Sequence, residues 1–197
     1  MNYSPWLTLL LLMITGTTVP QDLPPIRFEG ILWNSSTREV QQTLADKGLS
    51  LTYHYEDGTL VHNGPWNGVE TGVFSYFTEK DELVRFNLLL NGGTGIANVT
   101  LFRKVRAEFI ERYARYERIL NPAEQHDPGL DGLNDMALAT LARSSEDSVW
   151  SAWRHVSTAG DTTMVEIRLV KLTERPPPWD RLVIRIWYYG PRWFREK

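Results

Sequence analysis

Apolar residues recur along this chain with two periods, and the switches between them mark its elements. From Leu49 to Glu56 they strictly alternate, with Leu49, Leu51, Tyr53 and Tyr55 on one side. That is the two-residue period of a strand. Asp57-Gly58 follows and predicts a two-residue hairpin turn, whose central residues must tolerate positive φ. The return strand, Thr59 to His62, would then pair Glu56 with Thr59, His54 with Val61 and Tyr53 with His62. Residues 63–68 are rich in Gly and Pro and read as a loop. A second hairpin has Phe74 and Tyr76 in one arm, a turn over Glu79 to Asp81, and Val84, Phe86, Leu88 and Leu90 as the core side of the other. Three further strands close the chain, over 148–156, 163–172 and 182–189. Val165, Ile167 and Leu169 line one side of the second; Leu182, Ile184, Ile186 and Tyr188 line one side of the third.

The period changes to three and four at Phe102, Val105, Phe109, Tyr113, Tyr116 and Leu120, the stripe of an amphipathic helix. Asn98 or Thr100 can cap its start, and Asn121-Pro122 ends it. Its other side is charged, with Glu108–Arg112 and Glu111–Arg115 spaced for i,i+4 pairing. Ser36 and Glu39 have capping-box spacing ahead of Val40 and Leu44, and Gly48 follows Lys47 where a helix would end. Leu133, Met136, Ala137 and Leu141 suggest a short helix within a polar connection, and a strand from Ile26 to Trp33 would open the series. A helix and a strand meander are thus stated twice. The class is α+β: an antiparallel sheet built from two meanders, with helices packed on one face, in a single domain over 26–197.

The first 20 residues stand apart. Trp6 to Ile14 is an apolar run too short to span a bilayer but of signal-peptide length, followed by Thr15, Gly16, Thr17 and Thr18 and then by prolines. Residues 1–20 are therefore expected to be a signal peptide that sends the chain to the periplasm or medium of a bacterium. The chain has no cysteine, so neither disulfides nor a lipidated cysteine are expected, and stability must come from the core. A net charge of −3 argues against nucleic acid as a partner, and no second apolar run reaches transmembrane length.

Phe28-x-Gly30-Ile31-x-Trp33, followed by Ser36-x-x-Glu39-Val40-x-x-x-Leu44, resembles the opening of small bacterial periplasmic domains in which a strand runs into a capped helix and then a β-meander. In outline it is similar to the small lipoproteins of the outer-membrane barrel-assembly machinery and to the β-lactamase-inhibitor-like fold. The resemblance implies a fold and a compartment, and no catalytic residues.

Residues with chemical potential are few. The chain has four histidines. The hairpin register just given sends His54 and His62 to opposite sides, and His126 and His155 fall in or beside turns, so no metal and no cofactor is implied. Asn91-Gly92-Gly93-Thr94-Gly95 lacks the lysine and the spacing of a phosphate loop. Asp127, Asp131 and Asp135 are too widely spaced for a calcium loop and read as a solvated edge. The arginines of the long helix alternate with glutamates and read as a solvated side. Asn34 and Asn98 stand in glycosylation sequons.

Eight tryptophans are the more unusual feature. Trp187 and Tyr189 share the strand side opposite Ile184 and Ile186, beside Arg185, and Trp179 lies in the preceding proline-rich loop. These four are the candidate partner-binding residues, with another envelope protein or a glycan as the partner, unless that loop or the tail from Gly190 to Phe194 covers them. Three functions fit: a non-catalytic binding or scaffold module, an extracytoplasmic hydrolase built on His54 or His155, and a carbohydrate-binding protein. The shortage of acid–base groups favours the first.

Overall fold

In the computed structural model, which describes residues 23–93, 95–122, 129–144, 149–172 and 181–195, the local signals act where they were read. Helix α1 (Thr37–Asp46) opens on a complete capping box. The Ser36 N–H donates to the Glu39 carboxylate at 2.8 Å, and the Glu39 N–H donates to the Ser36 hydroxyl at 3.4 Å. Gly48 ends the helix at φ 81°, the left-handed conformation that glycine adopts without a Cβ clash. Val40 and Leu44 are the buried positions of this helix.

Strands β1 (Ser50–His54), β2 (Leu60–Trp66), β3 (Val69–Phe77) and β4 (Leu83–Leu90) form the first meander. After them come α2 (Gly95–Arg112), β5 (Glu117–Ile119), α3 (Gly129–Gly132) and α4 (Asp135–Ser144). Strands β6 (Trp150–Val156), β7 (Thr162–Leu172) and β8 (Arg181–Tyr189), with β5, make the second meander, and α5 (Pro191–Arg195) ends the described chain. All eight strands join one antiparallel sheet in the order β1-β2-β3-β4-β8-β7-β6-β5. The two meanders meet at β4 and β8, so the fold is α+β with helices packed against the strands. Among the described residues no helix is long and apolar enough to cross a membrane.

One side of the sheet carries the core. Phe86, Leu88, Ile184, Ile186, Tyr188, Val165, Ile167 and Trp153 point into it and meet Val99, Phe102 and Phe109 of α2 and Leu138 and Ala142 of α4. Truncating one of the buried phenylalanines to alanine typically costs about 3–5 kcal/mol.

Several expectations change. Residues 26–33 form no strand; they cross beneath the sheet as an irregular strap. Ile26, Phe28 and Ile31 are buried, and the chain turns at Glu29 (φ 51°) and Gly30 (φ 78°). Two contacts hold the Glu29 corner: the Trp66 indole donates to its carboxylate at 2.9 Å, and Lys47 pairs with it at 2.7 Å. Burial alone would raise the Glu29 carboxyl; Lys47 and Trp66 outweigh it and hold the group below the usual range. The stretch 63–68 is not a loop, because β2 runs through Pro65 to Trp66 and turns at Asn67-Gly68, both at positive φ. Asn-Gly is the strongest two-residue hairpin signal, and here it outweighs the composition around it.

The Asp57-Gly58 turn is a three-residue loop. Tyr55 N–H donates to Thr59 O at 2.9 Å, only Gly58 takes positive φ, and Asp57 spends its carboxylate on the Thr59 N–H at 2.9 Å. Tyr53 therefore pairs with Val61 and His54 with Leu60. The long helix stops at Arg112, short of Leu120: Tyr113 still donates its N–H to Phe109 O at 2.9 Å and packs beside Trp153, but residues 117–119 pair with β6 instead of continuing the helix. It also starts at Gly95, so Asn98 caps nothing. Asn98 is fully buried, donating to Leu182 O and accepting from the Gly92 N–H, each at 2.6 Å. The arginines of α2 are not all solvated. Arg106 is buried, donates to the Ser151 hydroxyl at 2.9 Å and pairs with Asp131, while Arg103 pairs with Asp135 at 2.7 Å. The short helix within 123–147 is α4, turned so that Met136 is exposed and Leu138, Ala139 and Ala142 are inside.

Candidate binding face

Directly paired residues of neighbouring strands point to the same side of a sheet. The register therefore draws rows across all eight strands. One row runs Tyr53, Val61, Phe74, Asn87, Trp187, Glu166, Ala152, Ile119. A parallel row runs Tyr76, Arg85, Tyr189, Met164, Arg154, Glu117. Both lie opposite the core side, as do Leu89, Arg185 and Arg168 in a third. Trp187, Tyr189 and Arg185 thus share a face as the alternation predicts, and all three are half-buried. Trp179 lies outside the described residues.

The centre of the face is a guanidinium among rings. Arg85 lies 4.0 Å from the Tyr76 ring centroid, 4.4 Å from Trp193 and 5.0 Å from Trp187. Trp187 stacks on Tyr189 at 6.3 Å and 13°, and Trp193 and Phe194 of α5 lean on Tyr189 from the tail. The tail therefore covers one end of the face, as the alternative expectation held, and leaves the rows toward β1 uncovered by any described element. Cation–π contacts of this kind contribute about 0.5–2 kcal/mol each, depending on desolvation. They fix the Arg85 side chain without neutralising it.

Three unmatched polar groups lie on the same face. The Nε of Arg85, the Nε of Arg185 and the Asn87 side-chain oxygen are buried and carry no hydrogen bond. Glu166, only 5 % exposed, is already paired with Arg168, and Glu117 holds Arg154 through two hydrogen bonds of 2.8 and 2.7 Å. Among the described residues Arg85 and Arg185 are therefore left without a carboxylate, giving this face positive charge on a chain of net −3. Burial, and then the neighbouring Glu166 charge, push the Tyr189 hydroxyl up to about 12, so it stays a neutral donor.

Sequence reading missed Tyr53 and Tyr55, the most exposed aromatics of the face at 57 % and 47 %, whose rings meet edge-on at 4.5 Å. Alternation sets both on one side with Leu49 and Leu51; the irregularity between Leu51 and Tyr53 leaves Leu51 opposite His62 and sends Tyr53 to the open side with Val61. Arg85 was also missed, because only the pairing of β4 with β8 brings it to Trp187.

The histidines are placed as follows. His54 is exposed, and the corrected register puts it on the side of Leu60 and His62, not opposite to His62. His62 is 1 % exposed, with both ring nitrogens free of hydrogen bonds, and burial lowers its pKa. His126 lies outside the described residues. His155 is 6 % exposed and its Nδ1 has no partner. Ser157 and Asp161 stand nearby in the β6–β7 turn, but Asp161 gives its carboxylate to Arg195, and its N–H donates to the Ser157 hydroxyl at 3.0 Å. These contacts do not form the base–acid–hydroxyl chain that nucleophilic catalysis needs. Among the described residues no group of three or more His, Asp and Glu is placed to hold a metal ion.

No family model, no curated protein and no solved structure matches this chain.

Proposed function

We propose that this chain is a non-catalytic binding module that works outside the cytoplasm and holds another protein against the open face of its sheet. One observation carries the reading: a row of register partners, Tyr53, Val61, Phe74, Asn87 and Trp187, lies beside the caged Arg85 and Arg185 on the side of the sheet opposite α1, α2 and α4, which α5 covers at one end only. Aromatic and arginine side chains are the residues that dominate protein interfaces, and each brings large contact area with few rotatable bonds. The partner surface would carry carboxylates for Arg85 and Arg185 and flat apolar groups for Phe74 and Trp187. The apolar run of residues 6–14 supports the compartment.

The test is photo-crosslinking in the organism of origin. A benzophenone amino acid at Phe74 or Leu89 should trap one protein in the cell envelope, and the same probe at Arg38 on α1 should not. Replacing Arg85 and Arg185 together by glutamate should abolish the adduct while the purified variant keeps its circular dichroism. An adduct indifferent to that charge reversal, or one found equally from Arg38, would refute the reading. Retention on an immobilised polyuronate instead, lost on the same charge reversal, would move the assignment to a glycan.

A further inference from the structure

A second recess lies away from the open face, between the 23–34 strap, the β6–β7 turn and α5. Its volume is about 380 Å³, within the range of sites for small molecules. His155 and Thr163 are register partners on the core side of the sheet, at its end. The strap is pinned across them by three hydrogen bonds. Ile26 N–H donates to the Thr163 hydroxyl at 3.0 Å, the Trp33 indole donates to Ile26 O at 2.8 Å, and the Tyr116 hydroxyl donates to Pro24 O at 3.0 Å. Arg27, between the buried Ile26 and Phe28, is thereby turned into the recess.

The charges lining it do not balance. Arg195 pairs with Asp161, and Arg192 donates to Glu82 at 3.0 Å. Among the described residues Arg27 has no carboxylate, and its buried Nε has no hydrogen bond. Facing the same space is the His155 ring, 6 % exposed, with Nδ1 equally unmatched. Trp33, Leu32 and Pro191 supply apolar wall. Arg27 and the buried His155 ring line one recess without a carboxylate between them among the described residues, and a guanidinium fork matches a carboxylate or phosphate with two parallel hydrogen bonds.

We propose that this recess binds a small organic anion, a carboxylate or phosphate ester with a flat apolar body. Its oxygens would lie between Arg27 and His155, and its body against Trp33. The recess shares no lining residue with the contacts proposed for the open face.

The experiment titrates the full-length protein with phenylacetate, phenyl phosphate and the neutral phenylacetamide. It follows the His155 ring nitrogens and the Arg27 Nε by nitrogen-15 NMR. At least one of the two anions should give saturable shifts at both groups, and phenylacetamide should bind at least about tenfold more weakly, the loss expected for a charge-assisted hydrogen bond. Which anion binds tighter assigns the ligand to the carboxylates or the phosphates. Arg27→Gln should weaken binding by about tenfold or more, and Arg38→Gln on α1 should leave it unchanged. Phenylacetamide binding as tightly as the anions, or shifts absent from both His155 and Arg27 in the wild type, overturns the proposal. So does a folded Arg27→Gln variant of unaltered affinity. If that variant does not fold, the wild-type shift map decides alone.

Discussion

Gly190 joins β8 to α5, and replacing it by alanine tests the packing that closes the strap against the sheet. A Cβ there would lie 2.7 and 2.8 Å from two ring carbons of Trp33 and 3.0 Å from Val84 O. Ordinary carbon–carbon contact is about 3.5 Å, so the indole would have to retreat by about 0.8 Å, the difference between 3.5 and 2.7 Å. It has little freedom to do so, being held by its hydrogen bond to Ile26 O and packed on Phe86 at 6.2 Å. The backbone is equally fixed, since Gly190 N–H donates to Val84 O at 2.9 Å. Overpacking of this kind costs about 1–3 kcal/mol. Loss of unfolded-state freedom on Gly→Ala returns about 0.4–1 kcal/mol. The net expectation for Gly190→Ala is a loss of about 1–2 kcal/mol, or roughly 2–8 °C in Tm for a chain of this size. Urea unfolding measures it, with an unchanged m-value. The decisive step is the double-mutant cycle with Trp33→Leu, which removes the clashing ring. On that background most of the cost of Gly190→Ala should disappear, leaving only the 3.0 Å approach to Val84 O. An equal cost on both backgrounds would refute the steric argument, since the loss would then belong to the backbone and not to Trp33.

Two further outcomes follow from buried polar groups. Asn98→Asp replaces a donor to Leu182 O with a carboxylate in a fully buried position, and should cost about 3–5 kcal/mol in urea unfolding; a loss under about 1 kcal/mol would show that water reaches the site. Burial lowers the His62 imidazole pKa from 6.5, so the folded protein favours the neutral ring and the unfolded chain takes up the proton first. Stability should be level above that value and fall as the pH drops below it. His62→Leu should flatten the Tm difference between about pH 7.5 and 5.5, and an unaltered difference would place the titrating group elsewhere.

What the sequence made legible was local, and what it hid was pairing between distant segments. The Ser36–Glu39 capping box closes within one turn, so its residues suffice to predict it. The two sides of β8 follow from alternation alone, and Trp187 and Tyr189 fall on the expected side. Register is different in kind. A turn one residue longer at Asp57-Gly58 moved the partner of Tyr53 from His62 to Val61 and sent its ring to the open face. The end of α2 answers to β6, far along the chain, which takes residues 117–119 as a strand partner. The strap alternates like a strand because Ile26 and Phe28 face the core, yet its N–H groups go to a side chain and a turn, Ile26 to Thr163 and Ile31 to Phe28 O at 2.9 Å, and not to a neighbouring strand. Arg106 looked solvated by its neighbours in sequence, and is buried because Ser151 and Asp131 receive it.

The tail helix α5 shows how closely the two proposed surfaces depend on one piece of chain. At five residues, Pro191–Arg195, it is far too short to be stable alone. Proline in its first turn has the fixed φ that favours helix initiation, but the rest of its order comes from what it touches. On one side Trp193 closes the cage around Arg85 and leans on Tyr189. On the other, Arg192 and Arg195 reach the recess and tie it to Glu82 and Asp161. Exposed ion pairs contribute about 0–1 kcal/mol each, so the aromatic contacts and the Gly190–Trp33 junction carry most of the hold. A ligand in the recess that drew Arg195 away from Asp161 would loosen the same turn that positions Trp193 over Arg85. Any such coupling must act equally in both directions, so a partner that fixes Trp193 on the open face would weaken ligand binding in the recess by the same factor.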